Sequence, residues 1–218
     1  MFTGIIQELG TVARIERHRG LTRLSIDAPK TAPRIQRLES VAVNGVCLTV
    51  VGSHRGLLTF EVIQHTQQLT SLATLRAGDR VNLEPSLSLT DRLGGHVLFG
   101  HVDGLGKILK RRSEQGEWSL DIGVAAALGT WLVPQGPVAV DGVSLTVGSV
   151  PSASRIRVHL IPETLRQTTL ASRTVGDRVN IEIDYLAKLT WQFLHRRPAA
   201  RRRSSGDLTP AATRDEGN

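Results

Sequence analysis

Apolar and polar residues alternate along many short stretches of this chain, which is the pattern of strands with one buried face. Leu24 and Ile26, for example, alternate with Arg23 and Ser25. Regular short strands with little helix favour an all-β fold of closed barrels, because closure removes exposed strand edges. Further strands are predicted at residues 57–63, 80–83, 155–161 and 179–183.

Two turn sequences interrupt apolar runs in the same way. Asn44-Gly45 divides residues 41–50 (VAVNGVCLTV), and Asp141-Gly142 divides residues 138–147 (VAVDGVSLTV). A two-residue type I′ hairpin turn needs positive φ at both central residues, which Asn, Asp and Gly tolerate best. Both stretches are therefore predicted to be β-hairpins.

The two hairpins belong to an internal duplication. Residues 41–50 and 138–147 are identical at eight of ten positions with an offset of 97. Residues 78–84 and 176–182 agree at six of seven with an offset of 98. A period this long fits duplication of a whole domain rather than a solenoid repeat. The predicted units are a first barrel at residues 1–97, a second at 98–186, a C-terminal helix at 187–197 and a tail at 198–218.

Helical patterns are few in this sequence. Leu186, Leu189 and Phe193 recur at helical spacing, which predicts the amphipathic C-terminal helix. An apolar helix face at a chain terminus is expected to dock elsewhere, for example on another subunit. Three short helices are also predicted, at residues 34–38, 69–73 and 125–132.

The charge distribution argues against a nucleic-acid ligand. The net charge is +7, but six arginines and three acids lie between His195 and Asn218, so this stretch alone carries +3. It is also rich in Ala, Ser, Gly and Pro, which predicts a disordered, solvated tail. The scattered aromatic residues offer no stacking platform for single strands. At most, weak and non-specific binding to RNA or anionic surfaces is expected.

The remaining composition favours a cytoplasmic protein without a metal or a membrane anchor. No apolar run approaches the ~18 residues of a membrane span, and the start at Met1 lacks the regions of a signal peptide. Cys47 is the only cysteine, which excludes an internal disulfide and is compatible with a reducing cytoplasm. No Cys/His cluster has metal-ligand spacing, so a zinc site is not expected.

The two copies differ at polar positions inside a shared apolar frame. Drift at surface positions would also produce such differences, but Cys47 and Ser144 lie in apolar runs, where an unpartnered hydroxyl is costly to bury. One cavity shape with two polar linings predicts two related but unequal sites, as suits an enzyme that binds two similar small molecules. The differing pairs are Asn44 and Asp141, Cys47 and Ser144, Glu61 and His159, His65 and Glu163, Ser86 and Asp184, and Ile5 and His101.

Several motifs, in one order along the chain, resemble the trimeric alpha-type riboflavin synthase family. The resemblance runs from residue 1 to about residue 190 and omits only the tail. Because the motifs are separate and keep their order, they are far more specific than a single glycine-rich loop. They are residues 1–6 (MFTGII), 40–50, 92–96 (RLGGH), 100–103 (GHVD), 141–147, 159–164 (HLIPET) and 179–184 (VNIEID).

The resemblance implies a fold, a reaction and an assembly. It implies two tandem six-stranded Greek-key β-barrels and a homotrimer held partly by C-terminal helices. A four-carbon unit would pass between two molecules of 6,7-dimethyl-8-ribityllumazine, giving riboflavin and a ribitylaminopyrimidinedione. No metal or redox cofactor is implied. The active site would lie between the first barrel of one subunit and the second barrel of its neighbour, and lumazine synthase is a candidate partner.

The resemblance also implies two groups of ligand-binding residues. The first-barrel group would be Gly4, Ile5, Ile6, Cys47, Leu48, Thr49, Glu61, Val62, Ile63, Gln64, His65, Thr66, Gly100, His101 and Val102. The second-barrel group would be Ser144, Leu145, Thr146, His159, Leu160, Ile161, Pro162, Glu163 and Thr164, and Gln135 is added to the ligand-binding set.

The implied chemistry removes a proton from the C7 methyl of one lumazine and adds a nucleophile or water at C7 of the other. His101 is the candidate for proton transfer, because imidazole titrates near neutral pH. Its alternative is a structural role. Ser40 and Thr49 are candidate hydroxyls, and Asp184 would hold charge or a ribityl hydroxyl. Cys47 belongs to the candidate catalytic set but is expected to pack rather than to act as a nucleophile.

Four positions depart from the family's pattern. His65 replaces a usual Glu, Pro85 a usual Arg, Phe99 a small or polar residue, and Gln135 a usual Lys. Such changes would alter the first site or the pairing of sites across subunits. They leave open the alternative of a non-catalytic relative that binds lumazine or flavin, as the lumazine-binding antenna proteins do.

Overall fold

A computed structural model describes residues 1–114 and 116–195 of the chain. In this part of the chain, twelve strands form two closed antiparallel barrels of six strands each. The predicted all-β fold with two tandem barrels is therefore confirmed.

The two barrels have the same strand order. The first contains β1 (Glu8–His18), β2 (Leu21–Asp27), β3 (Ser40–Val43), β4 (Val46–His54), β5 (Leu57–Ile63) and β6 (Arg80–Pro85), arranged β1-β2-β5-β4-β3-β6. The second contains β7 (Gly104–Glu114), β8 (Glu117–Gly123), β9 (Pro137–Val140), β10 (Val143–Ser152), β11 (Arg155–Leu160) and β12 (Arg178–Ile183), arranged β7-β8-β11-β10-β9-β12.

The helices are short and lie between or after the strands. The prediction of a helix at 34–38 was wrong, because one 3₁₀ turn covers Ala32–Arg34 and the backbone is already extended at Ile35. The predicted helix at 69–73 is likewise replaced by a later 3₁₀ turn at Ser71–Thr74. The described helices are α1 (Gln64–Leu69), α2 (Ala126–Gly129), α3 (Pro162–Gln167) and α4 (Tyr185–His195), with a third 3₁₀ turn at Thr169–Ala171. Residues 196–197 of the predicted C-terminal helix and the predicted tail at 198–218 lie outside the described residues.

The two predicted hairpin turns have the backbone that their sequences require. Asn44 and Gly45 have φ of 46° and 77°, and Asp141 and Gly142 have φ of 47° and 77°, as a type I′ turn demands. The turns also meet each other, because a Cβ added to Gly45 would lie 2.6 Å from the backbone nitrogen of Gly142. Glycine is therefore needed at both positions for backbone conformation and for close contact between the barrels.

Buried amide side chains join the two barrels across this contact. Asn82 Nδ2 of β6 donates to the Asp141 carbonyl (2.9 Å), and Asn180 Nδ2 of β12 donates to the Asn44 carbonyl (2.8 Å). The Oδ1 atom of Asn82 accepts from the backbone N–H of Thr169 (2.8 Å), in the 3₁₀ turn that precedes β12 in the chain. Satisfied buried amides fix one relative placement of the barrels, because each lost bond would leave a buried polar group unpaired.

Each barrel is preceded by a short segment that crosses to the other barrel. We call residues 2–6 the first crossing segment and residues 98–102 the second. The two segments pair with each other, since Phe2 N donates to Leu98 O (2.8 Å) and Leu98 N donates to Phe2 O (3.0 Å). Ile6 then packs against the core of the second barrel, and Val102 packs against the core of the first.

Candidate functional site

In each barrel, two neighbouring strands at equivalent positions are paired along only part of their length, which leaves an opening between their ends. In the first, the ladder between β4 and β5 begins at Val50 and Phe60, so residues 47–49 and 61–63 lie beyond the last strand pair. We call this opening the first notch. Strand edges beyond a ladder present backbone N–H and C=O groups, which can bind the polar edge of a flat ligand.

The second barrel has the equivalent opening, which we call the second notch. The ladder between β10 and β11 begins at Val147 and Val158, leaving residues 144–146 and 159–161 beyond it. Large apolar side chains are exposed at both places, with Ile63 56% and Ile161 65% accessible. Exposed apolar surface beside open polar backbone is typical of a small-molecule site.

The second crossing segment flanks the first notch. Cys47 N donates to the Gly100 carbonyl (3.0 Å), and a Cβ added to Gly100 would lie 2.6 Å from Cys47 Cβ. His101 follows as an exposed side chain whose ring stacks on Phe99, with centroids 6.0 Å apart. The structure therefore brings the predicted residues Cys47 and Gly100 into contact, and His101 follows Gly100 in the chain.

The first crossing segment flanks the second notch in the same manner. Ser144 N donates to the Gly4 carbonyl (2.9 Å), and Ile6 packs on the second core. This placement corrects the grouping implied by sequence, in which residues 4–6 belonged with Cys47 at the first-barrel site. The correction has a topological reason, because each segment crosses away from the barrel that it precedes.

The second notch also contains a histidine that was not among the predicted site residues. His96 Nδ1 and Ser144 Oγ are 2.7 Å apart, and within the described chain the buried Nε2 of His96 has no partner. Burial lowers the pKa of His96, and the carboxylate of Asp184 opposes that shift. The lowered pKa favours the neutral form of the imidazole. The sequence did not reveal this role, because Ser144 lies far from His96 in the chain and no characteristic spacing links the two residues. The only sequence feature that pointed to His96 was its place in the motif at 92–96.

One buried carboxylate anchors each crossing segment at its start. Glu84 accepts from Thr3 N (2.6 Å) and Gly4 N (2.9 Å), and Glu182 accepts from Phe99 N (2.8 Å) and Gly100 N (3.1 Å). Burial raises the pKa of both carboxyl groups, and these backbone donors act in the opposite direction. The matched anchors were missed in the sequence, where both acids stand inside strand motifs.

Several other predicted residues lie near the notches but point elsewhere. Glu61 pairs with Arg23 on the outside of the barrel (2.9 Å), and Glu163 pairs with Arg166 on exposed α3. His65 is an exposed residue of α1, and no contact in the structure explains its departure from the family.

The structure also shows where the candidate hydroxyl residues, Asp184 and Gln135 lie. Ser40 of β3 is the cross-strand partner of Thr49 of β4 beside the first notch. Asp184 accepts from Leu186 N (3.1 Å) at the start of α4. Gln135 has φ of 65° and donates its N–H to the Val147 carbonyl (2.7 Å), so its backbone belongs to the second barrel.

One surface cavity lies away from both notches. It has a volume of about 550 Å³ and lies beside the first barrel, between Arg34, Glu39 and residues 84–88. Ile5, one of the predicted ligand-binding residues, lines this cavity.

Among residues 1–114 and 116–195, no group of three or more His, Cys, Asp or Glu could hold a metal ion. In the same ranges, every helix is too short or too polar to cross a bilayer.

Comparison with known proteins identifies the class of this fold and site. The lumazine binding domain matches the chain twice, at residues 3–86 and 99–184. Each matched range contains one barrel and one notch. The chain is thus a tandem lumazine-binding protein.

Full-length relatives give the narrower assignment. Riboflavin synthase of Mycobacterium tuberculosis is 42% identical over 86% of this chain and 95% of its own length. Riboflavin synthase of Actinobacillus pleuropneumoniae is 36% identical over 95% and 96% of the two chains. This chain belongs to the riboflavin synthase family.

A solved structure with the same fold is LumP complexed with riboflavin. It is 26% identical, covers 84% of this chain and 99% of its own, and has a TM-score of 0.77. The alternative of a non-catalytic lumazine- or flavin-binding relative is not favoured, because the curated synthases are considerably more similar in sequence.

Proposed function

We propose that this chain forms riboflavin by dismutation of two molecules of 6,7-dimethyl-8-ribityllumazine. The observation that carries the proposal is the pair of matched but unequal notches, because the reaction uses two copies of one substrate in different roles. A four-carbon unit leaves one molecule and joins the other. The second product is 5-amino-6-ribitylaminopyrimidinedione, and the transfer of that unit makes the protein a transferase.

The first notch would bind one lumazine through backbone groups at residues 47–49 and 61–63. His101 follows Gly100 on the second crossing segment, and its side chain is exposed. Its proposed role is to move the proton of the C7 methyl group, since imidazole exchanges protons readily near pH 7. Ser40 and Thr49, which are cross-strand partners, would supply hydroxyls to the ribityl chain.

The second notch would bind the other lumazine next to Ser144. The lowered pKa of His96 favours the neutral imidazole, whose unprotonated Nδ1 can accept a hydrogen bond from the Ser144 hydroxyl. The oxygen of Ser144 would then face the ligand with a fixed lone-pair direction. This arrangement suits either an added water at C7 or a hydrogen bond to the heterocycle, and Asp184 nearby would favour developing positive charge.

Assembly of three chains is part of the proposal. Along α4, Leu186, Phe193 and Leu194 are 65%, 73% and 76% exposed, which leaves an apolar surface that needs cover. A homotrimer through this helix would set the first notch of one subunit against the second notch of its neighbour. We further propose a cytoplasmic location, lumazine synthase as the supplier of substrate and a candidate partner, and no nucleic-acid role.

The test is direct incubation of the purified full chain with ribityllumazine while riboflavin absorbance is recorded. We expect riboflavin to form with two lumazines consumed per riboflavin. Light scattering on the same sample should give the mass of a trimer. Tight binding of lumazine or riboflavin without turnover would contradict the proposal and support the binding-protein alternative.

A further inference from the structure

A tether joins helix α4 to the second crossing segment. Lys188 Nζ of α4 lies 2.7 Å from both carboxylate oxygens of Asp103, the residue that follows the segment. Oδ2 of the same carboxylate accepts from Ile183 N (2.7 Å), at the end of β12. Asp103 therefore holds the end of the barrel, the helix and the segment together through charge-assisted bonds.

An aromatic contact reinforces this junction. Tyr185, the first residue of α4, packs edge-to-face on Phe99 with ring centroids 5.0 Å apart. Phe99 in turn stacks on His101. The start of the helix thus contacts both ends of the segment that covers Cys47 at the first notch.

The first copy lacks the elements of this tether. The residue equivalent to Asp103 is Gln7, and the residue equivalent to Ile183 is Pro85, which has no N–H to donate. Ser86 then continues into a loop rather than a helix, since Ser88 N donates to Asp91 Oδ2 in a local turn. The first copy therefore has neither the carboxylate of Asp103 nor the backbone N–H that Ile183 donates to it.

We propose that Lys188 is a positioning residue that holds the second crossing segment, and with it His101, against the first notch through Asp103. The proposal rests on the proposed function only in treating that notch as a substrate site. Helix α4, which is proposed to join the subunits, would then also help to shape the ligand site.

The sole cysteine of the chain allows a test that needs no substrate. Cys47 is half-buried, and the backbone of Gly100 lies directly over its Cβ. In Lys188→Met, a loosened segment should expose the thiol and raise its rate of modification by a disulfide reagent about fivefold, the upper range for a partly exposed ion pair. Lys188→Arg should stay near the wild-type rate, and Lys110→Met, which removes an exposed lysine of β7, should not change it.

A double-mutant cycle separates the tether from general loosening. Asp103→Asn keeps an oxygen for the Ile183 N–H but loses the ion pair, so it should raise the rate of thiol modification as Lys188→Met does. The double variant should be no more reactive than either single one. Additive effects, an unchanged rate in Lys188→Met, or an equal rise in Lys110→Met would overturn the proposal.

Kinetics supply the second readout. Lys188→Met should raise KM for ribityllumazine about fivefold, in line with the thiol, while light scattering and thermal unfolding stay close to wild type. An unchanged KM in an active enzyme, or loss of the trimer as the main effect, would overturn the positioning role. If the wild type forms no riboflavin, the proposed function fails, whereas the thiol measurements still decide the tether.

Discussion

The two barrels share a backbone fold but have different polar and charged side chains at equivalent buried positions. At the hairpin turn that meets the other barrel, the first copy has Asn44, with apolar Leu75 at the position equivalent to Arg173, and Asn44 Nδ2 finds no hydrogen-bond partner in the described part of the chain. The second copy has fully buried Asp141, bound by Arg173 Nη2 (2.6 Å). The two copies therefore share a backbone shape, but only the second has a buried charged residue with an oppositely charged partner at this turn.

The outer wall shows the same difference. Asp121 of β8 is 4% exposed and binds both Arg157 (2.6 Å) and Arg112 (3.0 Å), where the first copy has Ser25, Thr59 and Glu16. At both places the two copies differ at a polar residue and also at the residues that bind it. Replacing one member of such a set by its counterpart in the other copy should therefore lower stability, whereas replacing the members together should lower it much less.

The largest effect is expected from breaking the buried pair of the second copy. Arg173→Leu leaves the Asp141 carboxylate buried without its counter-charge, which should lower the free energy of unfolding by about 3 kcal/mol. Asp141→Asn with Arg173→Leu recreates the pair of the first copy and should recover to within about 1 kcal/mol of wild type. Urea unfolding measures both. Equal stability of the single and double variants would show that the barrels tolerate charge independently of its partner.

The next effect concerns acid stability. The guanidinium of Arg157, helped by Arg112, holds the pKa of Asp121 below its usual range. A depressed carboxyl pKa contributes stability above the unfolded value of about 3.9, and the contribution is lost as pH falls through the folded value. At pH 7, Asp121→Asn should cost about 2 kcal/mol.

The pH dependence then distinguishes this interaction from simple packing. Between about pH 5 and pH 2, wild-type unfolding free energy should fall more steeply than that of Asp121→Asn. Parallel curves would show that the arginines do not stabilise the ionised carboxylate.

Catalysis should respond unequally at the two notches. His101→Gln keeps size and polarity but removes the imidazole that is proposed to transfer the proton. We expect kcat to fall at least ~10-fold, with little change in KM, because a proton-transfer role acts in the transition state. A raised KM with unchanged kcat would assign His101 to ligand binding instead.

The smallest effect is expected from exchanging Cys47 and Ser144 between copies. Cys47→Ser imports the residue of the second copy and should change kcat/KM by less than about twofold. Ser144→Cys should weaken substrate binding by about threefold, because a thiol is a poorer partner for His96 than the hydroxyl at 2.7 Å. Ser152→Ala, on the exposed end of the same strand, is the control. Equal responses to both exchanges would contradict the inequality of the notches.

Local signals predicted the barrels, and long-range contacts limited prediction of the site. The Asn-Gly and Asp-Gly turns and the duplicated strands carry their geometry in neighbouring residues, so their interpretation was confirmed. The placement of Gly4 beside Ser144 depends on where a finished barrel puts β10, which no local pattern encodes. His96 was missed for the same reason, since its partner lies 48 positions away. The family resemblance supplied the substrate, which the residues alone could not name.

The crossing segments also constrain how the chain acquires its structure during synthesis. The first barrel is complete in strands at Pro85, yet Cys47 has no cover until Gly100 has left the ribosome. Gly4 is made early, but its carbonyl has no bound partner until Ser144 of the second barrel has been made. The nascent chain therefore exposes the first notch, whose strands end at Ile63, until the second crossing segment has been made, and a first barrel excised alone would lack the cover that this segment supplies.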